Sequence, residues 1–206
     1  MADRQVILLA AGESRRRGVP NKLLLEIDGV PLVRRTAEAL AAIPNADVTV
    51  VLGHESDEIR AALNGMPVGF TMNDDHATGQ MSSVYAGLAA AGEGSCFLIV
   101  PADMPRLTTP DCLLLLDAHD EAPEGRVTVP YRAHAGARQR GNPVILPASA
   151  AQSVLDGGII LGCRGLLCCN DFLVVILEHG KDDGKLLLQI IPLLETRFEL
   201  TQMLQP

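Results

Sequence analysis

The chain has 206 residues, 17 of them basic and 25 acidic, for a formal net charge of −8; 48 % are apolar and 20 % charged. That mixture belongs to a folded chain rather than a disordered one, and the length suits one domain, residues 1–206, with a core that needs no disulfides. The acidic balance excludes a general binder of nucleic acid or of anionic membranes, and the absence of Trp, with two Tyr and four Phe, excludes a base-stacking platform.

No stretch approaches the ~20 apolar residues of a membrane span. The apolar run at residues 6–11 is too short for a signal peptide and is followed at once by charge. Five cysteines without framework spacing fit reduced thiols, so a cytoplasmic protein is expected.

In chain order, residues 5–10 (QVILLA) form a continuous apolar run, the pattern of a strand buried on both faces. Residues 32–43 follow Pro31 and predict a helix. Residues 47–52 predict a strand, 57–63 a short helix that Asn64-Gly65 can end, and 68–72 a third strand. A helix over 82–90 and a strand over 96–100 (CFLIV) come next. Thr109-Pro110-Asp111 reads as the capped start of a helix reaching His119. Strands are expected at 127–130, 143–146 and 173–177, helices at 148–155 and 193–204, and loops at 122–125 and 134–141. Strands alternating with helices give an α/β fold: three layers, a mostly parallel sheet with helices on both faces. Ligands of such sheets bind at the carboxyl ends of strands, so the loops after Ala10, Met72 and Val100 matter most.

The loop after the first strand concentrates the chemistry. It runs Leu9-Ala-Ala-Gly-Glu-Ser-Arg-Arg-Arg-Gly-Val-Pro-Asn-Lys22, placing three arginines and a lysine within eight residues of an otherwise acidic protein. Small residues let backbone amides approach a ligand, and Arg and Lys are the usual phosphate partners. It is not a P-loop, because five residues separate Gly12 from Gly18 and Val19 follows, and it is not a dinucleotide fingerprint, because residue 14 is Ser.

L-A-A-G-x-S-x-R-x-G, followed by P-N-K-L-L-L and D-G-x-P-L-V over residues 6–33, resembles the opening of the MobA-like nucleotidyltransferases, and within them the molybdenum cofactor cytidylyltransferases. The resemblance implies a Rossmann-like nucleotidyltransferase fold. It also implies that Leu9, Ala10, Ala11, Gly12, Glu13 and Ser14 wrap the nucleotide and that Arg16 and Lys22 contact its triphosphate, while Arg15 and Arg17 are more exposed. In this family L-A-A-G goes with cytidine and L-A-G-G with guanosine, so Ala11 implies CTP.

Asn73, Gly79, Ser82 and Ser83 match the second signature, N-x-x-x-x-x-G-x-x-S-S-x-x-x-G-L, which implies positions near the base and ribose. Glycine permits a tight turn or a close backbone approach, and hydroxyls at a helix start can bind a polar ligand. His76 in the same loop reads as a partly exposed loop histidine. Pro101-Ala-Asp-Met-Pro105 resembles the family's G-D-M-P, with Ala102 for Gly, which makes Asp103 the matched Mg²⁺ ligand. An acid directly after a buried strand must be solvated, paired or metal-bound, and Mg²⁺ takes one or two carboxylates plus substrate phosphate oxygens.

Arg140-Gly-Asn-Pro-Val144 resembles the acceptor-side segment R-G-[HN]-P-V, and Arg132, Arg138 and Arg140 could attract a phosphorylated pterin. Gly162-Cys-Arg-Gly-Leu-Leu167 and Asp182-Asp-Gly184 resemble later family segments, but Ile191 stands where the family carries a second metal-binding Asp; Asp182 or Asp183 could substitute. Cys163, Cys168 and Cys169 lack zinc-site spacing and read as apolar packing.

The expected activity is thus Mg²⁺-dependent transfer of CMP from CTP to a phosphorylated acceptor, molybdopterin cofactor, with pyrophosphate released and a molybdoenzyme receiving the product. Arg16, Lys22 and Asp103 carry the catalysis. The alternatives are a related transferase using GTP or another phosphorylated acceptor, and a nucleotide-binding protein without turnover.

Overall fold

Residues 3–12, 21–122, 125–134, 137–157, 173–179 and 186–191 are described by a computed structural model. Its central strand is the first. In β1 (Arg4–Leu9), Val6, Leu8 and the following Ala10 point into one hydrophobic core, while Ile7, Leu9 and Ala11 point into another. Successive side chains of a strand face opposite ways, so an unbroken apolar run serves two cores at once.

β1 pairs in parallel with β4 (Ala46–Leu52) on one side and with β6 (Cys96–Pro101) on the other, and β4 pairs in parallel with β5 (Gly69–Met72). Beyond β6 the sheet continues through β9 (Val144–Pro147), β7 (Thr128–His134), β10 (Leu173–His179) and β11 (Leu186–Ile191), with β8 (Ala137–Arg140) paired to β7. β9 runs antiparallel to both neighbours and β10 parallel to β7. Among the described residues, six of this sheet's nine strands therefore point one way, against β8, β9 and β11. A small antiparallel pair, β2 (Glu26–Ile27) and β3 (Val30–Pro31), is joined by Asp28-Gly29, both at positive φ.

Helices cover both faces. α1 (Leu32–Ala41), α2 (Ser56–Ala62) and α4 (Thr109–Asp120) supply Val33, Leu40, Ile59, Leu115 and Leu116 to the core shared with Leu8. α3 (Gln80–Ala90) and α5 (Ala148–Leu155) supply Val84, Leu88 and Val154 to the other. Gly87 lets α3 lie close: a Cβ there would clash with Ile7 Cγ2 and stand 3.0 Å from Val51 Cγ2.

Three expectations need correction. The segment at 134–141 contains strand β8, because a tight hairpin lets polar residues complete a ladder at the sheet margin. The helix expected at 82 starts at Gln80, with Gly79 at φ +130° as its N-cap, so Ser82 and Ser83 lie inside its first turn. Thr108, not Thr109, caps α4; Thr109 Oγ1 instead donates to the Ala39 carbonyl at 2.8 Å. The expected helix at 193–204, with Cys163, Cys168, Cys169, Asp182 and Asp183, falls outside the described residues. Among the described residues no helix is long and apolar enough to cross a membrane.

Candidate functional site

The end of β1 is tied to both of its neighbours. The Ala10 amide donates to the Val51 carbonyl at 2.9 Å, and the Leu9 carbonyl accepts from the Ala102 amide at 3.0 Å. Ala10 is fully buried in the core with its amide engaged, and it does not line the cleft. Leu9, Ala11 and Gly12 instead line a cleft of about 590 Å³. A Cβ at Gly12 would meet nothing within 4 Å. Glu13, Ser14, Arg15, Arg16 and Arg17 lie outside the described residues.

Across the cleft stands Asp103, two residues past the end of β6. Its neighbour Ala102 is buried, and the Ala102 carbonyl accepts from Thr36 Oγ1 at 3.2 Å, which fixes the backbone that presents the acid. Lys22 Nζ is 2.6 Å from Asp103 Oδ2, with both side chains about half exposed. Lys22 sits in a single 3-10 turn, Lys22–Leu24, whose N-cap Asn21 accepts the Leu23 amide on Oδ1 at 3.0 Å. Asn21 is buried, and its Nδ2 has no hydrogen-bond partner. Leu23 anchors the turn in the core. Cation and acid, 81 residues apart in the chain, thus face each other in one cavity.

The second loop is organised by Asn73. Its amide donates to the Leu52 carbonyl at 2.8 Å, and its Nδ2 donates to both Ser82 Oγ and Ser83 Oγ at 2.9 Å. Its Oδ1 accepts the Asp75 amide at 3.1 Å, and its carbonyl lies 3.1 Å from His76 Nδ1. A side-chain amide has two donor hydrogens, and both are spent here inside the protein. Ser82 Oγ donates in turn towards the carbonyls of Gly79 and Asp75. Asn73 and Ser82 therefore hold the loop together and border an outer groove, whereas Gly79, Ser83, Gln80 and His76 reach the main cleft. His76, read from sequence as a loop residue, sits on a 3-10 turn (His76–Thr78) and forms part of the cleft wall.

β9 completes the site because it runs backwards. Ile99 of β6 pairs with Val144, so the start of β9, not its end, adjoins the carboxyl end of β6. Asn142, two residues before β9, accordingly lines the cleft. On its far side is a second recess of about 450 Å³, sharing Asp103, Met104 and Asn142 with the first. Its walls are largely apolar, from Pro105, Leu107, Leu115, Pro130 and Pro143, with Arg106 and Asp111 as charged members.

Sequence reasoning singled out Arg132, Arg138 and Arg140 as the cations of this side. Arg140 stands in the β7–β8 ladder opposite Tyr131 and lines neither cavity; the side chains of Arg132 and Arg138 are outside the described residues. Burial pushes the Tyr131 hydroxyl pKa up, with Arg140 opposing the shift. Arg106 is the cation in the recess; its signal was its place directly after the Pro101–Pro105 motif.

For a divalent cation, Asp103 offers one exposed carboxylate, and among the described residues no group of three His, Cys, Asp or Glu converges. Ile191 lies on β11 opposite Val174 and has no donor atom to offer an ion. A single carboxylate suits Mg²⁺, which arrives hydrated and takes its remaining ligands from water and substrate phosphates, and does not suit an all-protein metal cage.

A mononucleotide-sized cleft at the carboxyl edge of a sheet, opened by a glycine turn and floored by an acid and a lysine, is the arrangement of an α/β nucleotidyltransferase. The sequence matches the MobA-like NTP transferase domain over residues 6–166, and the chain belongs to that family. It is 32 % identical to a nicotine blue oxidoreductase of Paenarthrobacter nicotinovorans, over 84 % of this chain and 85 % of that protein. It is also 32 % identical to a probable molybdenum cofactor guanylyltransferase of Natronomonas pharaonis, a match spanning 59 % of this chain and 61 % of that protein's length. Among solved structures it resembles a nucleotidyl transferase from Methanothermobacter thermautotroptrophicus, with a TM-score of 0.63 and 27 % identity, over 78 % of this chain and 76 % of that one.

Proposed function

We propose that this nucleotidyltransferase moves CMP from CTP onto a phosphorylated pterin, the molybdopterin cofactor, and releases pyrophosphate, with a molybdoenzyme as destination of the product. The observation that carries the reading is the single cleft in which the Ala11-Gly12 turn, Lys22 and Asp103 meet. An oxygen of the acceptor phosphate attacks the α-phosphorus of the nucleotide, the bond to the bridging oxygen breaks, and pyrophosphate leaves with the electron pair. The nucleophile is already anionic, so the protein's task is positioning and charge compensation.

Lys22 balances charge gathering on the leaving phosphates. Asp103 would hold Mg²⁺, which supplies charge neutralisation at the phosphates when bound. Lys22 and Asp103 face each other as an ion pair; nucleotide phosphate for the lysine and cation for the acid are their opposite partners in catalysis. The neighbouring recess, largely apolar with Asp103, Arg106, Asp111 and Asn142 as its polar members, takes the flat acceptor with Arg106 near its phosphate.

Ala11 favours CTP through the family's L-A-A-G pattern, whereas the named guanylyltransferase relative favours GTP. Competition binding decides between them, and tighter GTP binding defeats the cytidine assignment. A second reading follows from the relative with the wider match, which is named an oxidoreductase. Pyrophosphate release from CTP with Mg²⁺ and a reduced molybdopterin acceptor is the test. Its absence with every nucleotide and acceptor, alongside an oxidation–reduction reaction catalysed by the purified protein, would replace transfer with reduction.

A further inference from the structure

Gly53, directly after β4, was not among the residues that sequence reasoning selected, and it does not line the cleft. It nevertheless lies between two of the cleft's walls. A Cβ at this position would stand 2.8 Å from Ala11 Cβ, 2.8 Å from the Ala11 carbonyl oxygen and 2.9 Å from His76 Cβ. Non-bonded carbons prefer about 3.5–4.0 Å, so all three contacts are prohibitive. The requirement is for space rather than backbone freedom, because Gly53 is absent from the positive-φ glycines.

Neither wall has slack to yield. The Ala10 amide is bonded to Val51 and the Asn73 amide to Leu52, so the strand that ends just before Gly53 also carries both walls. The His76 ring is held in turn through the Asn73 carbonyl. Atoms on both sides would have to move apart, one of them a backbone oxygen.

We infer that Gly53 is a positioning residue: it is the spacer that sets the separation of the Ala11-Gly12 turn from the His76 turn, and so the fit of the cleft around a nucleoside triphosphate. The ligand class rests on the function proposed above; the spacing rests on the contacts alone. Gly87 supplies the comparison, since a Cβ there crowds only the side chains of Ile7 and Val51 beneath α3.

The experiment compares wild type, Gly53→Ala, Gly87→Ala, Ala11→Gly and the Gly53→Ala/Ala11→Gly double variant. Hydrogen exchange of the free proteins reports the spacing, and calorimetric titration with CTP and Mg²⁺ reports the fit. In Gly53→Ala, exchange quickens at the Ala11, Gly12, His76 and Ala77 amides together, and CTP affinity falls about tenfold. KM rises in step while kcat at saturation stays within about threefold, as expected when uniform binding is lost. Gly87→Ala lowers Tm but leaves affinity within about twofold of wild type. Removing the Ala11 methyl deletes one of the three clashes, so the Gly53→Ala loss shrinks in that background. Should Gly53→Ala fail to fold, the double variant measured against Ala11→Gly gives the same comparison.

The inference is overturned by unchanged exchange at either wall, by an equal loss of affinity in Gly87→Ala, or by a loss indifferent to Ala11→Gly. A wild type that binds no nucleotide sinks the proposed function instead, and the exchange data then decide the spacer by themselves.

Discussion

Two helices that leave the same edge of the sheet begin in opposite ways. α4 seals its own start: the Asp111 carboxylate accepts from the Thr108 amide at 2.9 Å and from Thr108 Oγ1 at 2.6 Å, and Thr108 Oγ1 accepts from the Asp111 amide at 3.4 Å. α3 starts at Gly79 with no side-chain cap and no acid in its first turn. The first turn of any helix leaves backbone donors without intrahelical partners and carries partial positive charge. α4 spends local side chains on that demand, whereas α3 puts no side-chain cap there, and its Gln80 and Ser83 border the cleft. One start is sealed by its own side chains; the other opens on the cleft.

The sharpest break of this contrast lies at the floor of the cleft. Lys22→Ala or Asp103→Ala lowers turnover by about 10²–10³, the scale of losing one preorganised stabilising group, with Tm retained. Wild-type steady-state rates in both would remove these residues from the chemistry. Next comes Gln80→Glu, which gives α3 the acid it lacks. The helix gains about 0.3–1 kcal/mol, seen as an unchanged or higher Tm, while triphosphate affinity drops about fivefold in a titration. Improved affinity would show that the α3 start does not face the phosphates.

Thr108→Ala acts at the sealed end instead. It costs about 1 kcal/mol, or about 2–4 °C in Tm, with kcat and KM unchanged. The smallest effect concerns Cys112, next to Asp111 in α4. Burial, with the Asp111 charge adding to it, pushes its thiol pKa up to about 12. Near pH 8 the folded protein therefore holds no thiolate there, and mass spectrometry should find Cys112 alkylated by iodoacetamide only after denaturation.

Most of this organisation was legible because apolar period and punctuation agreed. The runs QVILLA and CFLIV became the central strands because burial on both faces demands apolar residues without interruption. β8 was not legible: an edge strand in a tight hairpin pairs through its backbone, and its residues, ARQR, carry no apolar alternation. The start of α3 was placed two residues late because two serines look like caps, while the actual cap is a glycine whose φ of +130° no composition rule reveals.

The site divided along the same line. Gly12, Lys22, Gly79, Ser83 and Asp103 were readable from motif and charge, and all five line one cleft. Asn73 and Ser82 were readable as important but serve the loop's internal bonding. Gly53 could not be found that way, since it matters for the atoms it excludes, and Arg106 carried only its place directly after the Pro101–Pro105 motif as a signal.

The reversed direction of β9 has a consequence for how such a protein can change. The halves meeting at Asp103 are threaded differently: one is wound from parallel crossovers whose exits line the cleft, and the other brings in β9 against the common direction, so that its entry does. Lengthening or rewriting the segment ahead of Val144 would remodel the recess beside Asn142 without disturbing any crossover of the parallel half. Under the function proposed above, acceptor preference is then an interchangeable fitting on a fixed frame, open to grafting from one relative to another.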